Sequence, residues 1–413
     1  MQQAKKPLPE ILSPAGNFEK LSFALRFGAD AVYLAGHEFG MRSAAGNFSD
    51  EELARGVKLV HAAGKKAYLT VNVMPHQNEM KRLEAYLERV SEIGPDAVIV
   101  SDLGVFSLCK RLLPHVDIHI STQASTVNAE GCKAWMELGA SRVVLARELS
   151  LKDIEAIRRD VPDDLELEVF VHGSMCVSYS GRCLLSNYFT GRDANNGACT
   201  QPCRWNYHFA EDNRNNDLLT VETHPEGSFI FGSMDLCMID HLKTLRDAGI
   251  DSFKIEGRMK TALYVAMVAR TYRMALDMYL RSEEKYRQNL ERLQKEVRAA
   301  TFRPYSTGFY FGRPGEEGQT TDDGRYVTGQ VYLGRVDQKD ESGRLHIIQK
   351  NKFCVGSELE IMKPDGRDIG ARVLKMQNAD GAAVESCPHA AEEIWLTLSE
   401  EAEEGDILRT ISA

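Results

Sequence analysis

The 413-residue sequence has no long apolar run, although 43% of its residues are hydrophobic. A membrane-spanning helix needs ~20 consecutive apolar residues, and no stretch approaches that length. Neither end carries an export or lipidation motif. We therefore expect a cytoplasmic globular protein of two domains that has no membrane partner.

Several signature motifs are also missing. No G-x-G-x-x-G or Walker loop follows a predicted strand, which counts against a dinucleotide-binding fold. H-E-x-x-H, G-x-S-x-G and a cysteine–histidine protease signature are absent, so the motifs give a peptidase no support. The formal net charge of −10 argues against indiscriminate nucleic-acid binding, and a nucleic-acid partner would need a local basic patch.

Cysteine, in contrast, is concentrated in one stretch, Glu166–Tyr207, which begins as an alternating strand and continues as a polar loop. The loop has the pattern C-x6-C-x15-C-x3-C at Cys176, Cys183, Cys199 and Cys203, and Cys237 follows the run FIFGSMDL. Convergent thiolates suit a soft metal ion or an iron–sulfur cluster. The odd total of nine cysteines and the expected cytoplasmic location argue against disulfides.

The spacing favours an iron–sulfur cluster over zinc. Structural zinc sites usually have two tight C-x2–4-C pairs, and here only Cys199 and Cys203 form one. Any single cysteine is more often a small buried hydrophobe, but four within one short loop are not explained in that way. Zinc stays the alternative metal.

Residues 1–280 repeat a short apolar strand, a turn and an amphipathic helix that ends at glycine. The predicted strands are Glu10–Gly16, Asp30–Gly36, Lys66–Asn72, Asp96–Asp102, Asp117–Ala124, Arg142–Leu149, Leu167–Gly173 and Ser252–Arg258. Eight such units favour an α/β fold, a TIM-like (β/α)8 barrel, with a doubly wound open sheet as the alternative. We assign residues 1–300 to the barrel, with its cysteine-rich loop at about 174–237, residues 301–324 to a linker, and residues 325–413 to a small C-terminal all-β barrel domain.

The active site of a TIM barrel lies at the carboxyl ends of its strands. Lys254, Glu256 and Arg258 alternate along the last predicted strand and therefore share one face. Inward-facing charges are costly unless they are paired or bind a ligand. We predict an anionic substrate bound by Arg258, Lys254, Arg147 and Arg42, with His172 and Glu256 as catalytic candidates. A purely structural ion pair is the competing interpretation.

The predicted β-domain contains a basic strip, Lys350, Lys352 and Lys363, beside the aromatic Phe353. This combination could contact the phosphates of an RNA, although scattered surface lysines are an alternative explanation.

Several motifs together resemble one family. The segments FVHGSMCVSYSGRCLLSNY, NNGACTQPCRW, MDLC and KIEGRMK are similar to the collagenase-like peptidase family U32, as are ILSPAGNFEKL, DAVYLAG and NKFCVGSELEIM. The resemblance covers essentially the whole chain. It is strongest to a branch implicated in hydroxylating the wobble uridine of tRNA to 5-hydroxyuridine, with prephenate as the implied hydroxyl source. Other branches act on ribosomal RNA cytidine or on ubiquinone precursors.

The resemblance implies a four-iron four-sulfur (4Fe-4S) cluster held by Cys176, Cys183 and Cys199, with either Cys203 or Cys237 as the fourth ligand. It also implies tRNA and a small dianionic acid, prephenate, as partners. Two other functions stay open. The family name suggests a metal-dependent peptidase, and the chain could also be a non-catalytic cluster-binding subunit that supports a paralogous protein partner.

Overall fold

The computed structural model describes residues 8–42, 46–176, 178–179, 182–205, 232–300, 302–314, 319–320, 329–389 and 391–411. Contacts between residues divide the chain into two units. The first contains Met1–Leu25, Ala29–Lys260 and Phe302–Tyr326, and the second contains Arg26–Gly28, Thr261–Thr301 and Val327–Ala413.

The first unit alternates strands and helices through most of its length. Its described strands are β1 (Glu10–Pro14), β2 (Ala31–Leu34), β3 (Lys66–Val71), β4 (Ala97–Val100), β5 (Asp117–Ile120), β6 (Arg142–Val144), β7 (Glu166–Gly173), β8 (Gly232–Ser233), β9 (Asp235–Cys237), β10 (Ser252–Ile255), β11 (Tyr305–Ser306) and β12 (Gln319–Thr320). Its helices are α1 (Phe18–Arg26), α2 (Asp50–Ala62), α3 (Met80–Ile93), α4 (Leu103–Leu112), α5 (Ala129–Leu138), α6 (Leu151–Asp160), α7 (Leu185–Thr190) and α8 (Leu242–Asp247).

Eight parallel strands, β1 to β7 and β10, close into a barrel. Each of β1 to β6 pairs with the next strand in the chain, and β10 pairs with both β7 and β1. For example, Ser252 is aligned with Glu168 on one side and with Glu10 on the other. The predicted TIM-like barrel is therefore confirmed, and the open-sheet alternative is wrong because the sheet has no gap between β7 and β1.

Side-chain periodicity explains these elements. Strand residues alone form one core cluster: Leu12, Ala31, Tyr33, Tyr68, Ala97 and Ile99. Helix α3 buries Leu83, Tyr86, Leu87 and Val90, which recur at the spacing of one helical face. Its end at Gly94 is left-handed, with φ 66°, and the glycine amide donates to the Val90 carbonyl.

Part of the predicted linker at residues 301–324 packs within the first unit. Strand β11 pairs with β9, which in turn runs antiparallel to β7. Arg303 and Tyr310 are buried, and the Tyr310 hydroxyl donates to the Phe170 carbonyl at 2.6 Å. Residues 302–314 are therefore not a free connection, while residues 301, 315–318 and 321–324 of that prediction lie outside the described residues.

The second unit combines three helices with an antiparallel β-barrel. Its helices are α9 (Ala262–Arg281), α10 (Glu283–Gln288) and α11 (Leu290–Ala299), and its strands are β13 (Tyr332–Lys339), β14 (Leu345–Ile348), β15 (Glu358–Met362), β16 (Asp368–Asn378), β17 (Glu393–Leu398) and β18 (Ile407–Arg409). The strands close in the order β13-β14-β17-β16-β15-β18. The predicted small C-terminal β-barrel is confirmed, although residues 325–328 of the predicted domain lie outside the described part.

The sequence pattern places residues 261–300 in the barrel, but helices α9 and α11 belong to the second unit. A buried ion cluster explains this difference. Arg270 and Arg409 are each 1% exposed. Arg270 contacts Asp368 at 2.8 Å and also Glu296, while Arg409 contacts Glu296 at 2.8 Å and Glu360 at 2.8 Å. Truncation of the chain near Gly324 would remove the β-strands that these helices contact.

We expect Arg409→Met to lower the free energy of unfolding by about 3–5 kcal/mol, because Glu296 and Glu360 lose a shared buried cation. Urea unfolding measures this loss. Arg372→Met is the matched control, since the Arg372–Glu358 pair is 60% and 61% exposed and should contribute below about 1 kcal/mol. Equal losses in the two variants would contradict a structural role for the buried cluster.

The same cluster gives a pH dependence. Burial tends to raise the pKa of Glu296, but Arg270 and Arg409 outweigh it and hold that pKa below the ordinary 4.5. Because the folded-state pKa is the lower one, the stabilisation is complete above pH 4.5 and is lost as the pH falls through the lowered value. Arg409→Met should lose less stability over that range than the unchanged protein.

Within the described ranges, none of the helices combines the length and the apolar character needed to cross a membrane.

Candidate functional site

The carboxyl ends of the barrel strands enclose a polar cavity of about 70 Å³. One water needs ~10–15 Å³ by this measure, so the cavity has room for about five small groups, such as the atoms of one or two carboxylates. Its lining includes Tyr33, Arg42, Thr70, Asn72, Ser121, Gln123, Arg147, Phe170, Cys176, Lys254, Glu256 and Arg258. All four predicted substrate-binding residues are therefore brought together here.

Lys254 forms a short ion pair with a fully buried carboxylate. Its Nζ lies 2.7 Å from Glu168 Oε1, and Glu168 also contacts Arg142 at 3.0 Å. Arg142 in turn contacts Glu10 at 2.7 Å. Lys254 thus belongs to an ionic network inside the barrel, which agrees with the competing interpretation of a structural ion pair. It also lines the cavity.

Arg258 is held differently. It is 3% exposed, its Nη1 donates to Thr70 Oγ1 at 3.3 Å, and its Nε has no hydrogen-bond partner among the described residues. In the part of the chain that the structure describes, Arg258 forms no ion pair within 4 Å. Burial lowers its pKa to about 10, although Tyr33 and Glu256 oppose that shift. At neutral pH it remains a charged, buried fork with an unused N–H donor.

Arg147 and Glu256 face each other across the cavity. Arg147 Nη2 lies 3.7 Å from Glu256 Oε2, and Arg147 Nη1 donates to the Ser174 carbonyl at 3.1 Å. The guanidinium also lies 3.8 Å from the centre of the Phe170 ring, a cation–π contact that fixes its plane. The side chain is therefore preorganised before any ligand binds.

Arg42 reaches the cavity from the loop after β2. Its backbone is left-handed, with φ 68°, a rare conformation for a residue other than glycine. Asn72 Oδ1 accepts a hydrogen bond from the neighbouring Met41 amide at 3.1 Å, which fixes this loop to the end of β3. Burial tends to lower the pKa of Arg42, but Glu256, Cys176 and Cys199 raise it overall.

The charges at the cavity do not balance. Burial tends to raise the pKa of Glu256, but Arg42, Arg147, Arg258 and Lys254 lower it overall, so this side chain is a carboxylate at neutral pH. Three guanidinium groups, Arg42, Arg147 and Arg258, therefore face this one carboxylate, since Lys254 is paired with Glu168. Such an excess of buried positive charge is stabilised by an anionic ligand.

Sequence reasoning missed Tyr33 and Thr70. Tyr33 donates from its hydroxyl to the Ile255 carbonyl at 3.0 Å, and burial raises its pKa. Both residues follow the inward alternation of their strands, which a count of every second position could have revealed.

His172 does not line the cavity. It is 1% exposed, its Nε2 lies 3.2 Å from the Tyr305 hydroxyl, and its backbone carbonyl accepts from the Glu256 amide at 2.8 Å. Burial, aided by Lys260, lowers its pKa to about 3, so the ring is neutral at pH 7. The structure gives it contacts that fix β7 and Glu256 in place.

The cysteines differ in exposure. All nine lie in the described part of the chain, and none of them forms a disulfide there. Cys109, Cys132 and Cys387 are buried, and burial raises the pKa of Cys109 to about 12 and that of Cys132 to about 11. The five predicted cluster ligands, Cys176, Cys183, Cys199, Cys203 and Cys237, are partly or fully exposed. Exposed thiols near cations are the reactive, ligand-forming kind.

Three of these five thiols are tied to the carboxyl end of the barrel. Cys176 lines the cavity, and both Cys176 and Cys199 lie near enough to Arg42 to raise its pKa. Cys237 is aligned with His172 at the end of β7. Among the residues described, no three cysteine, histidine, aspartate or glutamate side chains converge closely enough to hold a metal ion. The donor chemistry fits an iron–sulfur cluster, and the ligand set stays a prediction.

Comparison with known proteins gives the family. Residues 16–320 match Peptidase family U32, and residues 328–409 match the Peptidase family U32 C-terminal domain. This chain belongs to peptidase family U32. A Bacillus subtilis relative named tRNA hydroxylation protein P1 is 36% identical over 402 residues, which cover 97% of this chain and 94% of that protein.

Two further relatives of this U32 chain have different names. The Escherichia coli 23S rRNA 5-hydroxycytidine C2501 synthase is 37% identical over 268 residues, 65% of this chain and 39% of that protein. A Porphyromonas gingivalis protein named Collagenase is 30% identical over 362 residues, 82% of this chain and 84% of that protein.

The basic strip predicted in the tail of the U32 chain is not a continuous surface. Lys363 is 9% exposed and its Nζ contacts Asp406 at 2.7 Å. Phe353 is 4% exposed and packs in the core of the small β-barrel. Only Lys350 and Lys352 of the four are exposed, so the prediction is wrong for Lys363 and Phe353.

Gly173 of the U32 chain allows β7 and the segment after β10 to approach each other. It has φ 108°, and a Cβ there would lie 2.3 Å from the Glu256 carbonyl oxygen. We expect Gly173→Ala to lower the free energy of unfolding by more than about 3 kcal/mol, since the clash is with backbone and adds to the cost of the left-handed conformation. Urea unfolding is the measurement.

Gly64→Ala is the matched control for that substitution. Gly64 has φ 67°, and nothing lies within 4 Å of its Cβ position. It should cost only the ~1 kcal/mol of the left-handed conformation. A Gly173→Ala protein no less stable than the Gly64→Ala protein would contradict the tight approach to Glu256.

Proposed function

We propose that this chain hydroxylates tRNA, converting the wobble uridine to 5-hydroxyuridine with an iron–sulfur cluster and with prephenate as the hydroxyl source. The single observation that supports the proposal most is the convergence of three guanidinium groups and Cys176 on one cavity. The names of the Bacillus subtilis and Escherichia coli relatives, which refer to tRNA and rRNA hydroxylation, support the RNA substrate. The proposal places the reaction in the cytoplasm.

The cations have the task of holding the acid. A dianionic acid brings two carboxylates, and Arg258 and Arg147 each have an Nε–H with no partner in the part of the chain that the structure describes. Arginine forks bind carboxylates through paired N–H donors, and these are strong when both groups are charged. Arg42 would complete the neutralisation, and the cavity of about 70 Å³ would take the carboxylate end of the acid while the rest faces the opening.

Glu256 positions these cations. Its pKa is lowered by Arg42, Arg147 and Arg258, so it can accept a hydrogen bond or a proton at pH 7 but cannot donate one. His172, neutral and bonded to Tyr305, keeps the adjoining backbone in place. Of the two catalytic candidates, Glu256 is thus the one that reaches the reacting space.

The cluster would be held by Cys176, Cys183 and Cys199, with Cys203 or Cys237 as the fourth ligand. When bound it would supply electron-transfer chemistry, which the side chains of the cavity cannot provide. The position of Cys176 in the cavity lining would bring that chemistry next to the acid.

Nucleoside analysis of tRNA tests the proposal. In cells that lack this protein, 5-hydroxyuridine should disappear from tRNA and return with the unchanged chain but not with an Arg258→Ala, Arg147→Ala double variant. The relative named Collagenase makes peptide cleavage the second candidate function. Unchanged 5-hydroxyuridine in the deletion strain, together with gelatin cleavage by the purified chain, would replace hydroxylation by that activity.

A further inference from the structure

The cysteine-rich segment carries an exposed aromatic surface that neither the cavity nor the thiols explain. Tyr188, Phe189 and Trp205 are 81%, 45% and 40% exposed. The Tyr188 and Phe189 rings lie 5.0 Å apart, and the Phe189 and Trp205 rings lie 6.2 Å apart. Three neighbouring exposed rings are unusual on a protein surface, because apolar area in contact with water gains nothing there.

This surface is on a fixed base. Ser186 in α7 is fully buried, and its Oγ lies 3.0 Å from Thr200 Oγ1 and accepts from the Thr200 amide at 3.1 Å. These hydrogen bonds join α7 to the segment that leads to Trp205. The helix that carries Tyr188 and Phe189 is therefore held in place before any ligand binds.

The same segment is joined to the rim of the barrel. The Met74 amide, just beyond β3, donates to the Asn195 carbonyl at 3.2 Å. Asn196 Nδ2 donates to Glu79 at 3.4 Å, and a Cβ on Gly197 would lie 3.0 Å from the Gly40 carbonyl oxygen. The aromatic surface is thus anchored to the loops after β2 and β3, the end of the barrel at which the cavity opens.

The charge of the segment differs from that of the whole chain. Residues 174–205 contain three arginines and one aspartate, whereas the chain has a net charge of −10. Arg182 and Arg192 are exposed on either side of α7, and neither forms an ion pair with a residue that the structure describes. Cations beside exposed aromatic rings are the combination that binds single-stranded nucleic acid, with phosphates on the cations and bases on the rings.

We propose that Tyr188, Phe189 and Trp205 form a stacking platform for unpaired RNA bases, with Arg182 and Arg192 contacting the phosphates beside them. The inference rests on the proposed function and assigns it a substrate class, a single-stranded RNA loop. It also explains how an acidic protein grips RNA, since the strip predicted in the tail is partly buried. A loop stacked here would lie at the rim of the barrel, beside the cavity.

Paired substitutions test the platform in the full-length protein. Tyr188→Leu and Trp205→Leu keep apolar bulk but remove the ring face, whereas Tyr188→Phe and Trp205→Phe keep a ring. Binding is measured with an RNA hairpin that has a single-stranded loop and with a fully paired RNA duplex. We expect each Leu variant to bind the hairpin on the order of 10-fold more weakly, each Phe variant to stay within about 3-fold, and duplex binding to be unchanged.

Leu138→Ala is the control, since Leu138 is 43% exposed at the end of α5, away from this segment, and should bind the hairpin normally. Quenching of Trp205 fluorescence by the hairpin is a second measurement that needs no destabilising change. The quenching should vanish in Trp205→Phe, which keeps the other two tryptophans.

Two results would overturn the platform. If the Leu variants bind the hairpin as well as the unchanged protein and Trp205 is not quenched, the surface does not stack bases and is an apolar contact for a protein. The RNA function would survive that outcome, because the unchanged protein would still bind. If the unchanged protein binds neither hairpin nor tRNA, the proposed function fails together with this inference.

Discussion

A Cys176→Ser protein purified without oxygen is expected to contain neither iron nor sulfide, while the unchanged protein contains about four of each per chain. Serine offers a hydroxyl, a poor ligand for iron that prefers soft thiolates. Cys176 is also the thiol that lines the cavity, so its loss should abolish both cluster retention and hydroxylation. Metal and sulfide analysis with an absorbance spectrum measures the first effect.

Buried cysteines supply the matched controls. Cys132→Ser and Cys109→Ser change thiols within helices α5 and α4, where burial raises the pKa to about 11 and about 12. Both variants should keep full iron and sulfide. Loss of iron from either variant, or stoichiometric zinc without sulfide in the unchanged protein, would contradict the predicted ligand set.

The fourth ligand can be assigned in the same way. Cys203 lies in a short 3-10 turn, Pro202–Arg204, and Cys237 ends β9 beside β7. We expect only one of Cys203→Ser and Cys237→Ser to lose the cluster in the way that Cys176→Ser does.

Arg258→Lys is expected to weaken prephenate binding by about 10-fold or more, although the formal charge is conserved. The guanidinium presents a planar fork, and a lysine ammonium cannot bind a carboxylate through two parallel N–H groups. Arg258 is 3% exposed, with an unpartnered Nε, so water cannot replace the lost donors easily. Calorimetric titration with prephenate measures the change.

Arg372→Lys is the control for this substitution, because Arg372 pairs with Glu358 on the surface of the second unit. It should bind prephenate normally. Full affinity in Arg258→Lys would mean that the fork does not contact the acid.

The barrel could be predicted because buried parallel strands are short apolar runs with polar ends. The ends of the strands were less predictable. The run Asp117–Ala124 reads as one strand, but β5 stops at Ile120 and Thr122–Ala124 forms a 3-10 turn. Buried side chains continue past the last ladder hydrogen bond, so periodicity alone extends the strand.

The candidate site was predictable only in part. Strand ends meet at one rim, which was enough to gather Arg147, Glu256 and Arg258. The pairing of Lys254 with Glu168 depends on how β10 is aligned with β7, across 86 residues of chain. The burial of Lys363 depends on Asp406 in the same way. Such long-range partners leave no periodic signal in the sequence.

The boundary between the two units also depends on residues that are far apart in the sequence. Helices α9 and α11 follow the last barrel strand without a break in pattern, and their partner Asp368 lies 98 residues beyond Arg270. Local composition therefore assigned them to the barrel, while long-range ion pairs join them to the β-strands of the second unit.

Reconstitution of the reaction tests the proposed hydroxylation without other cellular proteins. The anaerobically purified chain is incubated with unmodified tRNA and prephenate, and the nucleosides are analysed by mass spectrometry. We predict that the unchanged protein forms 5-hydroxyuridine. We predict none when prephenate is omitted, and none when the Arg258→Ala or the Cys176→Ser variant is used in place of the unchanged protein. Formation of 5-hydroxyuridine by the Cys176→Ser protein, or its absence when the iron-loaded unchanged protein is given both tRNA and prephenate, would contradict the proposed function.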